Sequence, residues 1–204
     1  MAVQMNRESY NAIAREWDAA RSSLSRHETV FLEKLLADIP PPANILDLGC
    51  GTGRPIAGHL LERGFSVTGI DQAEALLSLA RQRFPEGHWL QAEMEAFEPA
   101  GLHDAAIIWD SLFHISREKH EAILRKIIRC LRPGGRLMLT VGGSEHPAFT
   151  DTMYGETFFY DSLTPEQTVS VLQGLGALID HAEFLNPPTT GRDKGRYGIV
   201  ARVR

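Results

Sequence analysis

The chain has 204 residues and a mass of 22.6 kDa, and its 43% hydrophobic and 23% charged residues are typical of one compact globular domain. A net charge of −5 and a pI near 5.9 argue against nucleic acid as the main partner, and no apolar run approaches the ~20 residues of a membrane helix. The N-terminus turns polar too soon for a signal peptide and two cysteines make no disulfide framework, so we expect a cytoplasmic protein without nucleic-acid or membrane partners.

The first forty residues predict two helices. Residues 6–20 carry apolar side chains on one face at spacings of three and four. Residues 25–28 (Ser-Arg-His-Glu) have the spacing of a capping box, which begins a second helix that ends before the prolines at 40–42.

Strands and helices alternate from residue 44 onward. The predicted strands are 44–48, 65–70, 88–91, 105–109 and 136–141, and the helices between them are 54–63, 73–83 and one that Ser116 caps and Pro133-Gly134-Gly135 ends. A last helix begins at a Thr164 cap, and strands 177–184 and 196–203 follow without a helix between them. The sequence therefore predicts an α/β fold: a Rossmann-like, doubly wound, mostly parallel seven-stranded sheet with a C-terminal antiparallel hairpin.

A glycine-rich turn follows the first strand. Residues 49–53 read Gly-Cys-Gly-Thr-Gly, and the second strand ends at Asp71. An apolar strand, a glycine turn, a helix and an acidic residue after the next strand are typical of a site for an adenosine-containing cofactor. The dinucleotide fingerprint requires a third glycine where this chain has Arg54, so the spacing disfavours NAD and a nicotinamide oxidoreductase.

Three more segments match a known pattern in order and spacing. They are Glu93-Met94 after the third strand, residues 109–114 (Trp-Asp-Ser-Leu-Phe-His) after the fourth, and residues 131–135 (Leu-Arg-Pro-Gly-Gly) before the fifth. With the glycine loop and Asp71, they make the chain similar to class I S-adenosylmethionine (SAM)-dependent methyltransferases of the small-molecule type. The resemblance implies a single domain, residues 1–204, with a helical lid (1–40), a SAM-binding core (43–142), a substrate-side insert (143–163) and a terminal helix and hairpin (164–204).

The resemblance also implies a set of SAM-binding residues. They are Tyr10, Trp17, Asp47, Gly49, Gly51, Gly53, Asp71, Gln72, Glu93, Met94 and Asp110. For Asp71, Asp47 and the lid aromatics, a purely structural role remains an alternative to SAM binding. Asp71 has the spacing of a helix N-cap, Asp47 could be a turn residue bonded to backbone amides, and the lid aromatics could simply pack.

The resemblance places the acceptor near the fourth strand and the insert. His114 and Asp110 are the candidate catalytic residues, although a lone histidine is more often structural. The candidate substrate-binding residues are His114, Tyr154, Glu156, Tyr160 and Arg192. A C-terminal cationic cluster (Arg192, Lys194, Arg196, Arg202 and Arg204) is either solvated charge or a means of capturing an anionic group.

The implied reaction is an in-line transfer of a methyl group from SAM to an O or N atom of a small metabolite that is aromatic or bears a carboxylate. No metal is expected, because the two cysteines and eight histidines lack ligand spacing. A non-catalytic SAM-binding regulatory module is the alternative, and the protein is expected to be a monomer or homodimer.

Overall fold

The computed structural model describes residues 2–190 and 193–204. Its helices are α1 (Ala2–Ala12), α2 (Ala14–Ala20), α3 (Arg26–Leu35), α4 (Ile56–Glu62), α5 (Glu74–Arg83), α6 (Arg117–Arg129) and α7 (Pro165–Gly174). Its strands are β1 (Asn44–Leu48), β2 (Ser66–Asp71), β3 (His88–Gln91), β4 (His103–Ile108), β5 (Leu131–Gly142), β6 (Phe149–Met153), β7 (Glu156–Tyr160), β8 (Leu178–Asn186) and β9 (Arg196–Arg202). A short 3-10 turn spans Leu112–His114.

Seven strands form one sheet in the order β3-β2-β1-β4-β5-β9-β8. The first five are parallel, and β9 pairs antiparallel with both β5 and β8. This arrangement confirms the doubly wound α/β fold with its terminal hairpin. It brings the carboxyl ends of β1, β2, β4 and β5 to one edge of the sheet, where ligands bind in open α/β folds.

The core fills both faces of the sheet. Residues 105–108 of β4 are all completely buried, as expected for a central parallel strand without polar alternation. One face packs against α3 and α4 through a cluster that includes Phe31 and Leu60, and the other packs against α6 through Ile127. None of the helices in the described ranges has the length and apolar character to cross a bilayer.

The N-terminal helix differs from its prediction. Residues 6–20 form two helices instead of one, separated at the buried Ile13. The two parts bind different elements. Ser9 of α1 donates to the Thr157 carbonyl of β7, whereas Asp18 of α2 pairs with Arg83 of α5.

Two features around α6 differ from their predictions, the capping bond of Ser116 and the start of β5. Ser116 stands at the N-cap position, but its side chain makes no cap hydrogen bond, and the Asp161 carboxylate accepts from the Arg117 amide instead. β5 begins five residues before the predicted start at 136, because Leu131 already pairs with His103 and the glycines that follow bond to Val203. Both differences come from residues distant in sequence.

Candidate active site

The glycine turn lies at the carboxyl end of β1. Gly49, Gly51 and Gly53 have φ values of +78°, +57° and +74°, a region that side chains disfavour. The amides of Gly49 and Cys50 both donate to the Ile70 carbonyl, which ties the turn to β2. A Cβ on Gly49 would lie 2.3 Å from the Cβ of Ser111, so the turn approaches the β4 loop too closely for any other residue.

A narrow cleft, here called the loop cleft, opens beside this turn. Its free space is about 90 Å³. Lining residues include Asp47, Asp71, Gln72, Met94, Asp110 and His114 from the sheet edge and Tyr10, Trp17 and Arg21 from the first two helices. These last three side chains line the cleft on its N-terminal side, and the lid role of Tyr10 and Trp17 stays a prediction.

Asp47 is only 4% exposed and lines the loop cleft. Its carboxylate has no hydrogen-bond partner in the described residues, which is unusual for a buried charged group. Burial, and to a lesser degree the charge of Asp71, raise the pKa of Asp47 to about 7. The alternative that Asp47 is a turn residue bonded to backbone amides is therefore wrong. An unpaired carboxylate facing a cleft favours a cationic ligand group.

Asp71 holds the glycine turn in place. Its carboxylate accepts from the amides of Gly51 (3.0 Å) and Ala73 (2.8 Å). Burial raises the pKa of Asp71, while these amide bonds oppose the rise. Ala73, not Asp71, is the N-cap of α5, so the helix-cap alternative is wrong. Each carboxylate oxygen keeps a lone pair for a ligand hydroxyl.

A second unsatisfied acceptor lies next to Asp71. The Gln72 side chain lines the loop cleft, and its buried Oε1 has no hydrogen-bond partner among the residues that the structure describes. A buried amide oxygen without a donor is uncommon in proteins and costs free energy. Gln72 and Asp71 thus offer acceptors to a ligand with hydroxyl or amino donors.

His114 is bonded at both ring nitrogens. Nδ1 lies 3.0 Å from the Phe159 carbonyl and Nε2 lies 2.9 Å from the Tyr10 hydroxyl. Since a carbonyl can only accept, we assign the proton to Nδ1, and Nε2 accepts from Tyr10. Burial lowers the pKa of His114 to about 4 and raises that of Tyr10 well above its usual value. His114 is therefore neutral at pH 7 with its lone pair already used.

Asp110 joins the loop cleft to the C-terminal hairpin. Its φ of +51° is unusual for a residue other than glycine, and its amide donates to the Thr140 hydroxyl at 2.6 Å. Nη1 of Arg196 donates to its carboxylate at 2.7 Å. Asp110 is thus held as an ion-pair partner at the end of β4.

A second cavity of about 440 Å³ lies on the other side of this ion pair. The residues around it include Phe113, His146, Phe149, Tyr160, Lys194 and Arg196. The Tyr160 ring lies 4.8 Å from the His114 ring, so these side chains and the Asp110–Arg196 pair separate the two cavities.

The structure places the other predicted site residues elsewhere. Glu93 pairs with Arg7 at 3.4 Å and does not line the loop cleft, and Gly53 packs where a Cβ would meet Phe84 and Trp89. Tyr154 forms, with a glycine, the two-residue turn of the β6–β7 hairpin; Tyr154 and Glu156 line neither cavity. Arg192 lies outside the described residues.

Sequence reasoning missed several lining residues, among them Arg21 of the loop cleft and His146 and Phe149 of the second cavity. Arg21 follows Trp17 by four positions and so shares its helix face, a spacing that could have revealed it. Arg196 belonged to the cationic cluster, but nothing in its local sequence indicated the contact with Asp110. Within the described ranges, no three His, Cys, Asp or Glu side chains meet as a metal-ligand set.

Comparison with known proteins identifies one family. A family model described as a methyltransferase domain matches residues 45–135. The chain is 30% identical to the ubiquinone biosynthesis O-methyltransferase of Xanthomonas axonopodis pv. citri over 165 residues, 76% of this chain and 68% of that protein. It is 37% identical to the trans-aconitate 2-methyltransferase of Azoarcus sp. over 109 residues, 52% of this chain and 42% of that protein.

Solved structures share the fold. The magnesium protoporphyrin IX methyltransferase of Synechocystis PCC 6803 with bound SAM matches with a TM-score of 0.73 and 16% identity, covering 100% of this chain and 98% of that chain. The present chain spans about half the length of the trans-aconitate 2-methyltransferases that it matches.

Proposed function

Because this chain belongs to the class I SAM-dependent methyltransferases, we infer that it transfers the methyl group of SAM to a carboxylate oxygen of a small molecule. The proposal that SAM is the methyl donor rests on the buried carboxylate of Asp47, which lies beside the glycine turn and has no partner in the described residues. SAM carries an ammonium group and a positively charged sulfur, and a buried anion without a partner supports the binding of such a cation.

The remaining groups of the loop cleft suit the rest of SAM. Asp71 and the unsatisfied Oε1 of Gln72 would accept from ribose hydroxyls or the adenine amino group. Met94 and Ile70 line the cleft with apolar surface for a purine ring. Trp17 would cover the ligand and exclude water from it.

The proposal that the methyl acceptor is a carboxylate rests on the charge and hydrogen bonding of the two candidate catalytic residues. His114 is neutral, with a pKa of about 4, and its Nε2 lone pair accepts from Tyr10. Asp110 is paired with Arg196. The low pKa and occupied lone pair of His114 make it a poor base, and Asp110 is already bound to a cation, which supports an acceptor that is already anionic at neutral pH.

A carboxylate meets this requirement. When bound, SAM supplies an activated methyl group, and the C–S bond breaks towards sulfur as the acceptor oxygen bonds to carbon, with no proton transferred. The residues of this chain then need only align the two reactants and exclude water. The curated relatives named for trans-aconitate, a carboxylate, support this choice.

Calorimetry of cofactor binding tests the proposal that SAM is the methyl donor. We expect the protein to bind SAM and its product S-adenosylhomocysteine (SAH), and not to bind NAD comparably. Asp71→Ala should lower SAM affinity by roughly 10- to 100-fold, because it removes acceptors from buried hydroxyls. Asp104→Ala is the matched control: Asp104 also accepts from a backbone amide, that of Asn44, but lies outside both cavities.

Methyl transfer from labelled SAM to a panel of carboxylates, amines and phenols tests the proposal that the methyl acceptor is a carboxylate. We expect methyl esters and one SAH for each ester formed. Tight NAD binding without SAM binding would contradict the cofactor assignment, and transfer to amines alone would contradict the acceptor assignment. SAM binding with no transfer to any compound would instead favour a regulatory module.

A further inference from the structure

The second cavity has the character of a binding site for one chemical class. We propose that it binds a planar, ring-bearing carboxylate, and that Arg196 is the residue that selects the negative charge. This inference rests on the proposed function, since it identifies the acceptor of that reaction. The rings of the cavity wall, its two cationic side chains and the ion pair that it shares with the loop cleft each contribute to this inference.

Aromatic side chains form one wall of the cavity. The rings of Phe149 and Tyr160 stack with centroids 5.2 Å apart and planes at 16°. Phe113 lies 6.1 Å from Tyr160, and His146 meets Phe149 edge-on at 5.1 Å. A set of flat faces favours a flat ligand, because offset and edge contacts between rings add to the burial of apolar area.

Two cationic side chains, Lys194 and Arg196, line the cavity together with three carboxylates. Asp161 is ion-paired with Arg117, and Asp193 and Asp151 accept from the backbone amides of Gly195 and Thr152. Lys194 is half-buried, and its ammonium has no partner among the described residues, so it can donate to an anionic ligand group.

Arg196 has donors to spare. Its Nε donates to the Asn186 side chain at 3.0 Å and its Nη1 to Asp110 at 2.7 Å, while Nη2 has no partner in the described part of the chain. A guanidinium is planar and binds carboxylates through adjacent N–H groups. Arg196 can therefore hold Asp110 and still offer Nη2 to a ligand.

The backbone directs both cations to this place. Gly195, between Lys194 and Arg196, has a φ of +75°, and a Cβ there would lie 2.6 Å from the Pro188 amide nitrogen. The Gly143 amide also donates to the Gly195 carbonyl, which fixes the loop at the end of β5. Lys194 and Arg196 thus precede and follow a glycine whose backbone is held in place beside the cavity.

The cavity also adjoins the proposed cofactor site. Asp110 lines the loop cleft, and its partner Arg196 lines the second cavity. A carboxylate bound by Nη2 of Arg196 would lie beside the guanidinium group that also bonds to Asp110. The ion pair that the two cavities share supports an acceptor rather than an unrelated ligand.

Calorimetric titration of the SAH-loaded protein tests the proposal with three probes of similar size. Benzoate has both the ring and the charge, cyclohexanecarboxylate lacks the flat ring, and benzyl alcohol lacks the charge. We expect benzoate to bind most tightly. Arg196→Gln should weaken benzoate binding by about 10- to 100-fold, the range for a charge-assisted bond, and leave benzyl alcohol unchanged.

Arg202→Gln is the matched control for Arg196→Gln. Arg202 lies on the same strand, is similarly exposed and is also paired with an aspartate, Asp180, but does not line the cavity. The Arg202→Gln variant should bind benzoate with the affinity of the wild type. Phe149→Leu should weaken benzoate by about 2- to 10-fold and leave cyclohexanecarboxylate nearly unchanged.

Three results would overturn the proposal: equal binding of benzoate and benzyl alcohol, no loss in Arg196→Gln, or an equal loss in Arg202→Gln. Equal binding of the two carboxylates would overturn the requirement for a ring. The titrations are repeated without SAH. If the protein binds neither SAM nor SAH, the proposed function fails, while benzoate binding and its dependence on Arg196 still decide this inference.

Discussion

Replacing Asp47 by asparagine should make the ligand-free protein more stable at pH 8 and weaken its binding of SAM. The pKa of this carboxyl rises from 3.8 to about 7 on folding, chiefly through burial. At about 1.4 kcal/mol for each pH unit between these values, ionised Asp47 costs the folded state about 4 kcal/mol at pH 8. A buried amide also has a cost, so we expect a net gain of about 2 kcal/mol in Asp47→Asn, or about 4–8 °C in Tm.

The pH dependence has a defined sign. Between pH 4 and pH 7 the folded state binds more protons at Asp47 than the unfolded state does. Its contribution to the free energy of unfolding therefore falls as pH rises through this window and is constant above it. The stability difference between Asp47→Asn and wild type should accordingly be largest at pH 8 and shrink towards pH 5.

Urea denaturation at pH 5 and pH 8 measures the stability difference, and calorimetry measures SAM affinity, which should fall by about 10- to 100-fold. Asp161→Asn is the control, because Asp161 is equally buried but paired with Arg117. It should lose stability where Asp47→Asn gains it. If Asp47→Asn destabilises the protein at pH 8, or if its advantage does not shrink at pH 5, Asp47 is a structural residue and the reasoning fails.

His114→Gln should lower kcat/KM by less than about tenfold, because the neutral imidazole already bonds to Tyr10 and to a carbonyl, whereas loss of a general base would cost roughly 100- to 10,000-fold. Steady-state kinetics checks this, and a loss above 100-fold with unchanged SAM affinity would make His114 a base. Gly49→Ala should cost about 3 kcal/mol or more, since it adds a clash with Ser111 to a positive φ. Gly101→Ala, with φ +76° and open space around it, should cost only about 1 kcal/mol in the same urea titration, and equal losses would contradict the clash.

Local sequence determined much of the fold. β1 and β3 have the predicted bounds, and the capping boxes at Ser25 and Thr164 form as the spacing indicated. Such features depend on neighbours within four residues, on side-chain periodicity or on the conformational freedom of glycine, and all three can be read along the chain. For the same reason the turn at 49–53 and its position after β1 were predictable.

Only the tertiary structure decided the chemistry around the turn. Asp110 and Arg196 are 86 positions apart, and His114 and Tyr10 are 104 apart, so no local pattern could show that each pair is bonded. Whether a carboxylate is free or paired, and whether a histidine can accept a proton, depends on burial and on such distant partners. The sequence therefore indicated the glycine turn and several residues of the loop cleft, and long-range packing decided that Asp47 has no partner in the described residues while His114 has two.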